Sequence, residues 1–371
     1  MGEALAGHAK RYTFLDAMRG FAALGVVLHH AFHGSEFHEP LTRIFPYWFQ
    51  WICSFGKCGV QIFFVLSGFV IAYSIRDMRI TPGSLGNFML RRQIRLDPAY
   101  WLCLVLLFIN QTVAANAHPL LYVHPTVPNF FVNMFYLQGY LDRPSLLGVS
   151  WTLCLEVQFY ILLILLVGVA QRGFGKYAHG AAGALVIGLG LISLWIRMML
   201  QSEGDIPQFY GSWYLFAFGA LCFWALAGRI PKPLFVAYAA LILTAGLYLG
   251  QESIMAGVVT VSLIFTVGCL GHLGDWLNHR VVQYLGRISY SLYLIHLLVL
   301  ERVSCVGLHL SGANSPWLAV CWFVLGTAAS VGVAHLLYLA VERPTVRLAS
   351  SLKIKPRPVP TPEAIPEPAR V

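Results

Sequence analysis

The chain has 371 residues, of which 58% are hydrophobic and 11% charged, with a formal net charge of +9. A soluble protein carries about 25% charged residues, so a water-facing fold of two or three domains, which this length would otherwise suggest, gives way to a membrane class. The positive balance is therefore tested as topogenic charge before it is read as a nucleic-acid footprint.

Runs of roughly 20 apolar residues mark transmembrane helices. Ten are predicted, over 14–33, 54–75, 97–116, 151–170, 178–200, 209–228, 233–250, 253–273, 286–306 and 315–341. A further segment, Phe130 to Tyr140, is too short to span and reads as re-entrant or interfacial. Residues 1–13 form a cytoplasmic N-terminal segment carrying Lys10 and Arg11. The first apolar run ends His29-His30-Ala31-Phe32-His33, which is unlike a small-residue cleavage site, so it is expected to remain as a span. Residues 14–347 are expected to build one membrane domain, an all-α polytopic bundle. Residues 348–371 read as a disordered cytoplasmic tail, proline-rich from Lys353 onward.

Ionisable groups inside these spans are costly, so each is a candidate functional residue. In the first span Arg19 and His30 are eleven residues apart, close to three helical turns, which puts them on one face roughly 16 Å apart along the axis. An imidazole is the usual general base near neutral pH. The competing reading has Arg19 reaching lipid phosphate and His30 closing a helix end. In the second span Ser67-Gly68 suits close helix packing; Ser67 as an acyl-carrying nucleophile is the rival reading, without a Gly-x-Ser-x-Gly elbow around it. Arg91, Arg92 and Arg95 precede Pro98 at helical spacing. They offer planar forks for the phosphates of a coenzyme, or anchor the chain to anionic lipid.

Glu156 lies one to two turns inside the fourth span and needs a partner, most simply His29, His30 or Arg19. It either orients a histidine, as the third member of a triad does, or makes a structural ion pair. The ninth span ends its polar stripe at His296, a packing histidine or an auxiliary one. Glu301 and Arg302 are expected to seek partners on other helices. Pro344 is expected to stop the last span, with Glu342 and Arg343 at the membrane interface.

Charge supplies an independent test of this layout. Lys10, Arg11, Arg76, Arg79, Arg91, Arg92, Arg95, Arg172, Lys176, Arg229, Lys232, Arg280, Arg287 and the basic tail fall on one set of alternate connections. The other set holds Arg43, Lys57 and Arg143 with Glu36, Glu39, Asp142, Glu203, Asp205 and Glu252. The positive-inside rule explains this asymmetry with an even number of spans and both termini cytoplasmic, and no nucleic-acid partner is called for. Of the eight cysteines most lie in apolar runs as small hydrophobes. Cys53 and Cys58 are either an oxidisable pair or two free thiols. No cysteine or histidine spacing suggests a metal site.

Taken together, six segments resemble the acyltransferase 3 family, bacterial membrane O-acyltransferases acting on surface polysaccharides, lipopolysaccharide and antibiotics. They are Leu-Asp-x-x-Arg-Gly-x-Ala-Ala with His29-His30, Phe-Phe-Val-Leu-Ser-Gly-Phe, Arg-Arg-x-x-Arg before Pro98, Trp-Thr-Leu-x-x-Glu-x-Gln-Phe-Tyr, Gly-Arg-Ile-Ser-Tyr-Ser-Leu-Tyr-Leu-x-His and the closing Glu-Arg-Pro. They run from residue 15 to 344 in the family's order. The resemblance implies an essential Arg19–His30 pair, arginines 91, 92 and 95 near an acyl-CoA donor, a glycan or lipid-linked sugar acceptor, and a place in the bacterial inner membrane. It departs from the family at Gln61, where an acidic residue is usual, at Val157, where a second glutamate is usual, and at Asp97, which replaces an aromatic.

On this reading acetyl-CoA is the donor and no cofactor is permanently bound. His30 takes the acceptor hydroxyl proton, Glu156 or His29 polarises His30, and Arg19 holds the donor or stabilises developing negative charge. Two rivals are a secondary transporter, for which internal repeats and broken helices would be expected, and a membrane-bound O-acyltransferase of the unrelated type, whose motifs differ.

Overall fold

The computed structural model describes residues 12–117, 124–141, 143–199, 208–312 and 315–352. Lys10, Arg11, Asp142, Glu203, Asp205 and the proline-rich segment from Lys353 lie outside these residues. Among the described residues the regular structure is helical, with no strand.

α1 (Thr13–His33) is followed by two short helices, α2 (His38–Ile44) and α3 (Tyr47–Phe55). A 3₁₀ turn at Gly56–Cys58 then leads into α4 (Gly59–Ser74). α5 (Pro82–Ala117) has 36 residues, and α6 (Val127–Met134) has eight. Thr126 caps α6, its hydroxyl accepting from the Asn129 N–H at 3.4 Å, which supplies one of the donors a helix start leaves open. Next come α7 (Ser150–Gly173), α8 (Ala178–Met199), α9 (Gln208–Leu226), α10 (Lys232–Leu249) and α11 (Glu252–Cys269). Gly250, at φ +61°, closes α10 in the left-handed conformation that glycine adopts without penalty. α12 (Arg280–Ser311), α13 (Pro316–Leu337), a π-helical turn at Tyr338–Glu342 and α14 (Arg343–Ser351) complete the chain.

Each of the ten expected spans coincides with one of these helices. Eight helical segments among the described residues are long and apolar enough to cross a membrane. The other two are α1, which carries Asp16 and Arg19, and α9, whose apolar stretch Tyr210–Leu226 is shorter. The protein is a polytopic helical bundle.

Two prolines lie inside continuous helix, and at Pro344 this overturns the expectation. α5 runs unbroken through Pro98, losing only the bond that residue would have donated to Ile94; neighbouring helices make this tolerable inside a membrane bundle. Pro344 does not stop the last helix. The helical segment continues through it from Pro316 to Ser351, and the π turn just before it resets the hydrogen-bond register. The boundary expected at 347/348 therefore falls inside a helix. That helix packs on α5, where Arg91 Nε donates to the Ala349 carbonyl at 3.2 Å.

Helices in lipid gain little from burying apolar surface against one another and associate through close packing at small residues. α1 crosses α12 at Gly20 and Gly286; a Cβ on Gly20 would lie 2.8 Å from the Gly286 nitrogen. Ten residues further along each helix, His30 meets His296, so α1 and α12 run parallel. α4 and α9 cross at Gly68 and Gly219 and also run parallel, with Phe64 stacked on Phe216 and Phe69 edge-on to Phe223. Both parallel pairs are what strict alternation produces when α1 and α9 are counted as crossings. The buried apolar residues form two cores. One joins α4 with α8–α11 and the inner half of α7, and the other joins α1, α2, α5, α12 and α13 with the first turns of α7.

Candidate active site

The seam between the two cores is where charge is concentrated. A cavity of about 60 Å³ lies there, lined among others by Arg19 from α1, Ser67 from α4, Thr152 and Glu156 from α7, and Ser289 and Tyr293 from α12. All four helices have apolar faces elsewhere, so these polar side chains mark one shared face of the bundle.

Glu156 is not bound to a histidine or to Arg19. Arg92 Nη2 donates to its Oε1 at 3.0 Å, and Ser67 Oγ donates to the same oxygen. Arg92 also lies over the Tyr160 ring, 3.9 Å from its centroid, and bonds the Tyr160 hydroxyl. The reason is the length of α5: its third and fourth turns carry the arginines up against α7. Ser67 is thereby committed to a carboxylate as well as placed beside Gly68 in the packed crossing.

Glu342, expected at the interface, is instead 4% exposed. Its Oε2 accepts from Ser291 Oγ at 2.6 Å, and Arg95 and Arg19 lie within electrostatic reach. The π turn that contains Glu342 rotates it inward. Arg19, Arg92 and Arg95 thus share one neighbourhood with Glu156 and Glu342. The Nε atoms of Arg92 and Arg95 are buried and have no hydrogen-bond partner among the described residues. Arg91, by contrast, is turned outward onto the α14 backbone.

His30 lies deeper along α1. Its Nδ1 donates to the Val26 carbonyl at 2.9 Å and lies 3.3 Å from Nε2 of His296. His296 is fully buried, and its own Nδ1 donates to the Tyr293 carbonyl at 2.8 Å. These bonds assign His296 Nε2 as an acceptor and leave His30 Nε2 as the unprotonated ring nitrogen. Tyr293 connects this pair to the cavity: its hydroxyl is 3.0 Å from Thr152 Oγ1, and its ring centroid is 6.0 Å from that of His296. His29 faces elsewhere and bonds the Cys53 carbonyl at 3.1 Å. From His30 a run of imidazoles in ring contact continues through His29 and His33 to His38, with centroids 4.9–5.2 Å apart.

The structure thus brings Arg19, Arg92, Arg95, Ser67 and Glu156 together and pairs His30 with His296. Tyr293, Thr152, Tyr160 and Glu342 were not singled out as site residues. Only the polar stripe of the ninth span and the position of Tyr160 near Glu156 hinted at them. Tyr136 is another such residue. Burial pushes its phenol well above the ordinary range, and it donates to Asp97 Oδ1 at 2.8 Å, so the unusual acid before Pro98 has a local partner. Glu301 and Arg302 pair with each other at 3.0 Å on the surface rather than with other helices. Cys53 and Cys58 are both buried and are not joined in a disulfide. No group of three or more metal-ligating side chains occurs among the described residues.

These features define a multi-pass helical membrane protein with an arginine–glutamate cluster at the seam of its bundle and a histidine pair deeper along α1. The chain belongs to the acyltransferase 3 family: the family's acyltransferase domain matches residues 12–339. Among its relatives is nodulation protein 10 of Rhizobium leguminosarum bv. viciae, 23% identical over 93% of this chain and 95% of that protein. The exopolysaccharide production protein ExoZ of Rhizobium meliloti is 27% identical over 81% of this chain and 92% of its own length. The peptidoglycan O-acetyltransferase OatA of Listeria monocytogenes is 25% identical over 91% of this chain, which spans 56% of that longer protein. No solved structure matches the chain. The protein is a membrane acyltransferase.

Proposed function

We propose that this protein works in the bacterial inner membrane, taking the acetyl group of acetyl-CoA and placing it on a hydroxyl of a surface or exported glycan. The observation that carries the reading is His30, held through Nδ1 by Val26 and His296 with Nε2 left to receive a proton, on the same helix as Arg19 in the guanidinium cluster. The names of the Listeria and R. meliloti relatives support a glycan acceptor.

His30 Nε2 takes the proton of the acceptor hydroxyl as its oxygen attacks the thioester carbonyl. Arg19, about 16 Å along α1 from His30, joins Arg92 and Arg95 in holding the anionic donor, and a tetrahedral intermediate forms at the thioester carbonyl. Collapse breaks the C–S bond, and the proton held by His30 returns to the coenzyme thiolate, giving the ester and free thiol. Arg92 and Arg95, on the side where basic residues concentrate, direct unpartnered Nε donors to the coenzyme phosphates. Glu156 holds Arg92 in place. Incubating purified protein with acetyl-labelled acetyl-CoA and isolated cell-wall glycan tests this. Base-labile label on the glycan and stoichiometric free thiol are expected; thiol without glycan label, or neither product, overturns the reading.

A further inference from the structure

A second cavity, of about 600 Å³, lies between α4, α7, α9 and α11, ten times larger than the one beside Glu156 and within the range of small-molecule sites. It opens at the end of the bundle that carries the α10–α11 turn at Gly250 and Gln251, opposite the end bearing Arg76 and Arg172. We propose that this cavity binds the hydroxyl acceptor and that the ligand it takes is a neutral carbohydrate. The proposal rests on the acyl-transfer reading above.

The wall is polar in both senses. Lys57 Nζ and Glu252 Oε2 lie 2.8 Å apart, and Arg197 Nε donates to Gln251 Oε1 at 3.0 Å. Its cations thus already have partners within the wall, which suits a polyhydroxylated neutral molecule better than a phosphate. Such a molecule exchanges hydrogen bonds with donors and acceptors alike. The Trp151 indole adds an apolar face of the kind that packs on the C–H face of a sugar ring. Gln61 points to the ligand most directly: its Oε1 is buried in this wall without a hydrogen-bond partner among the described residues. Buried carbonyl oxygens are nearly always paired, and a ligand hydroxyl would satisfy this one.

The cavity also adjoins the reacting groups. Val60 lines both cavities, and Trp151 stands edge-on to Phe64 of the inner one, with centroids 6.1 Å apart. The partition is one layer of side chains. Lys57, in the wall of the larger cavity, lies within electrostatic reach of His29 and His33, so the same end of the bundle holds the histidine run. Donor and acceptor therefore approach from opposite ends and meet at the partition.

The test plugs the cavity from outside. In a protein whose exposed Cys269, Cys305 and Cys321 are replaced by serine, Ser253→Cys is treated with a membrane-impermeant maleimide in intact cells. Labelling is expected to cut acetate incorporation into the surface glycan at least ~10-fold, while the purified labelled protein still binds acetyl-CoA as before. Separately, Gln61→Ala is expected to raise the KM for isolated cell-wall glycan several-fold at unchanged KM for acetyl-CoA. Unimpaired acetylation after complete labelling overturns the proposal. So does loss of acetyl-CoA binding in parallel, or a Gln61→Ala effect on the donor KM alone. If the unlabelled parent transfers no acetyl group, the acyl-transfer reading itself fails and the acceptor site falls with it.

Discussion

His30 and His296 are 266 residues apart in sequence, yet each ring nitrogen between them has a defined job. His30→Ala is expected to lower glycan acetylation by ~10²–10⁴-fold, the usual worth of a general base, with membrane level and thermal stability preserved. A stability loss with the specific activity of the surviving protein intact would make His30 structural. His296→Leu removes the second acceptor beside His30 Nδ1, at 3.3 Å, leaves the bond to the Val26 carbonyl and does not touch substrate. It is expected to lower kcat about tenfold, the rate equivalent of one hydrogen bond, at unchanged KM for either substrate. His29→Ala breaks the bond to Cys53 and is expected to cost ~1 kcal/mol of stability and little activity. The Arg19–His30 alignment was legible because helical periodicity is local. The histidine pair, and the choice of Arg92 rather than a histidine for Glu156, were not, since they depend on which helices pack side by side.

Among the elements, α5 was the least legible. The arginines were read at helical spacing ahead of a span beginning at residue 97, without a sign that the two join. One helix of 36 residues runs through both, because a bundle of neighbours makes one missing backbone bond tolerable, and this places the arginines against α7. Their roles then separate by direction. Replacing Arg92 or Arg95 with alanine is expected to raise the acetyl-CoA KM by about tenfold or more, the worth of one charge-assisted hydrogen bond. Lysine should rescue only part of this, because it lacks the planar fork. Arg91→Ala should leave that KM unchanged and loosen α14 from α5, read as faster proteolysis near residues 343–351. Equal effects of all three replacements on KM would contradict the division. A local rule misjudged Pro344: a π turn ahead of it is a register change that residue preference does not announce.

At the scale of the molecule, we propose a ten-crossing layout, with which the alternation of charge and the parallel pairs α1–α12 and α4–α9 agree. Reporter fusions at residues 119–128 are expected to read periplasmic, and fusions at Gly173 or beyond Lys353 cytoplasmic; a cytoplasmic signal from 119–128 would overturn the layout. The bundle's hydrophobic extent and order were legible from span length, whereas its division into two cores with a charged seam emerged only from packing. The glycine crossing of α1 and α12 has one more consequence. Crossing point and histidine pair are separated by ten residues on each helix, so the intervals 20–30 and 286–296 act as matched rulers. Inserting a single alanine into either would turn its histidine by about 100° and shift it ~1.5 Å, uncoupling the rings while the crossing still held. These two stretches should therefore refuse insertions and deletions that the connecting loops accept, a length constraint that no individual side chain imposes.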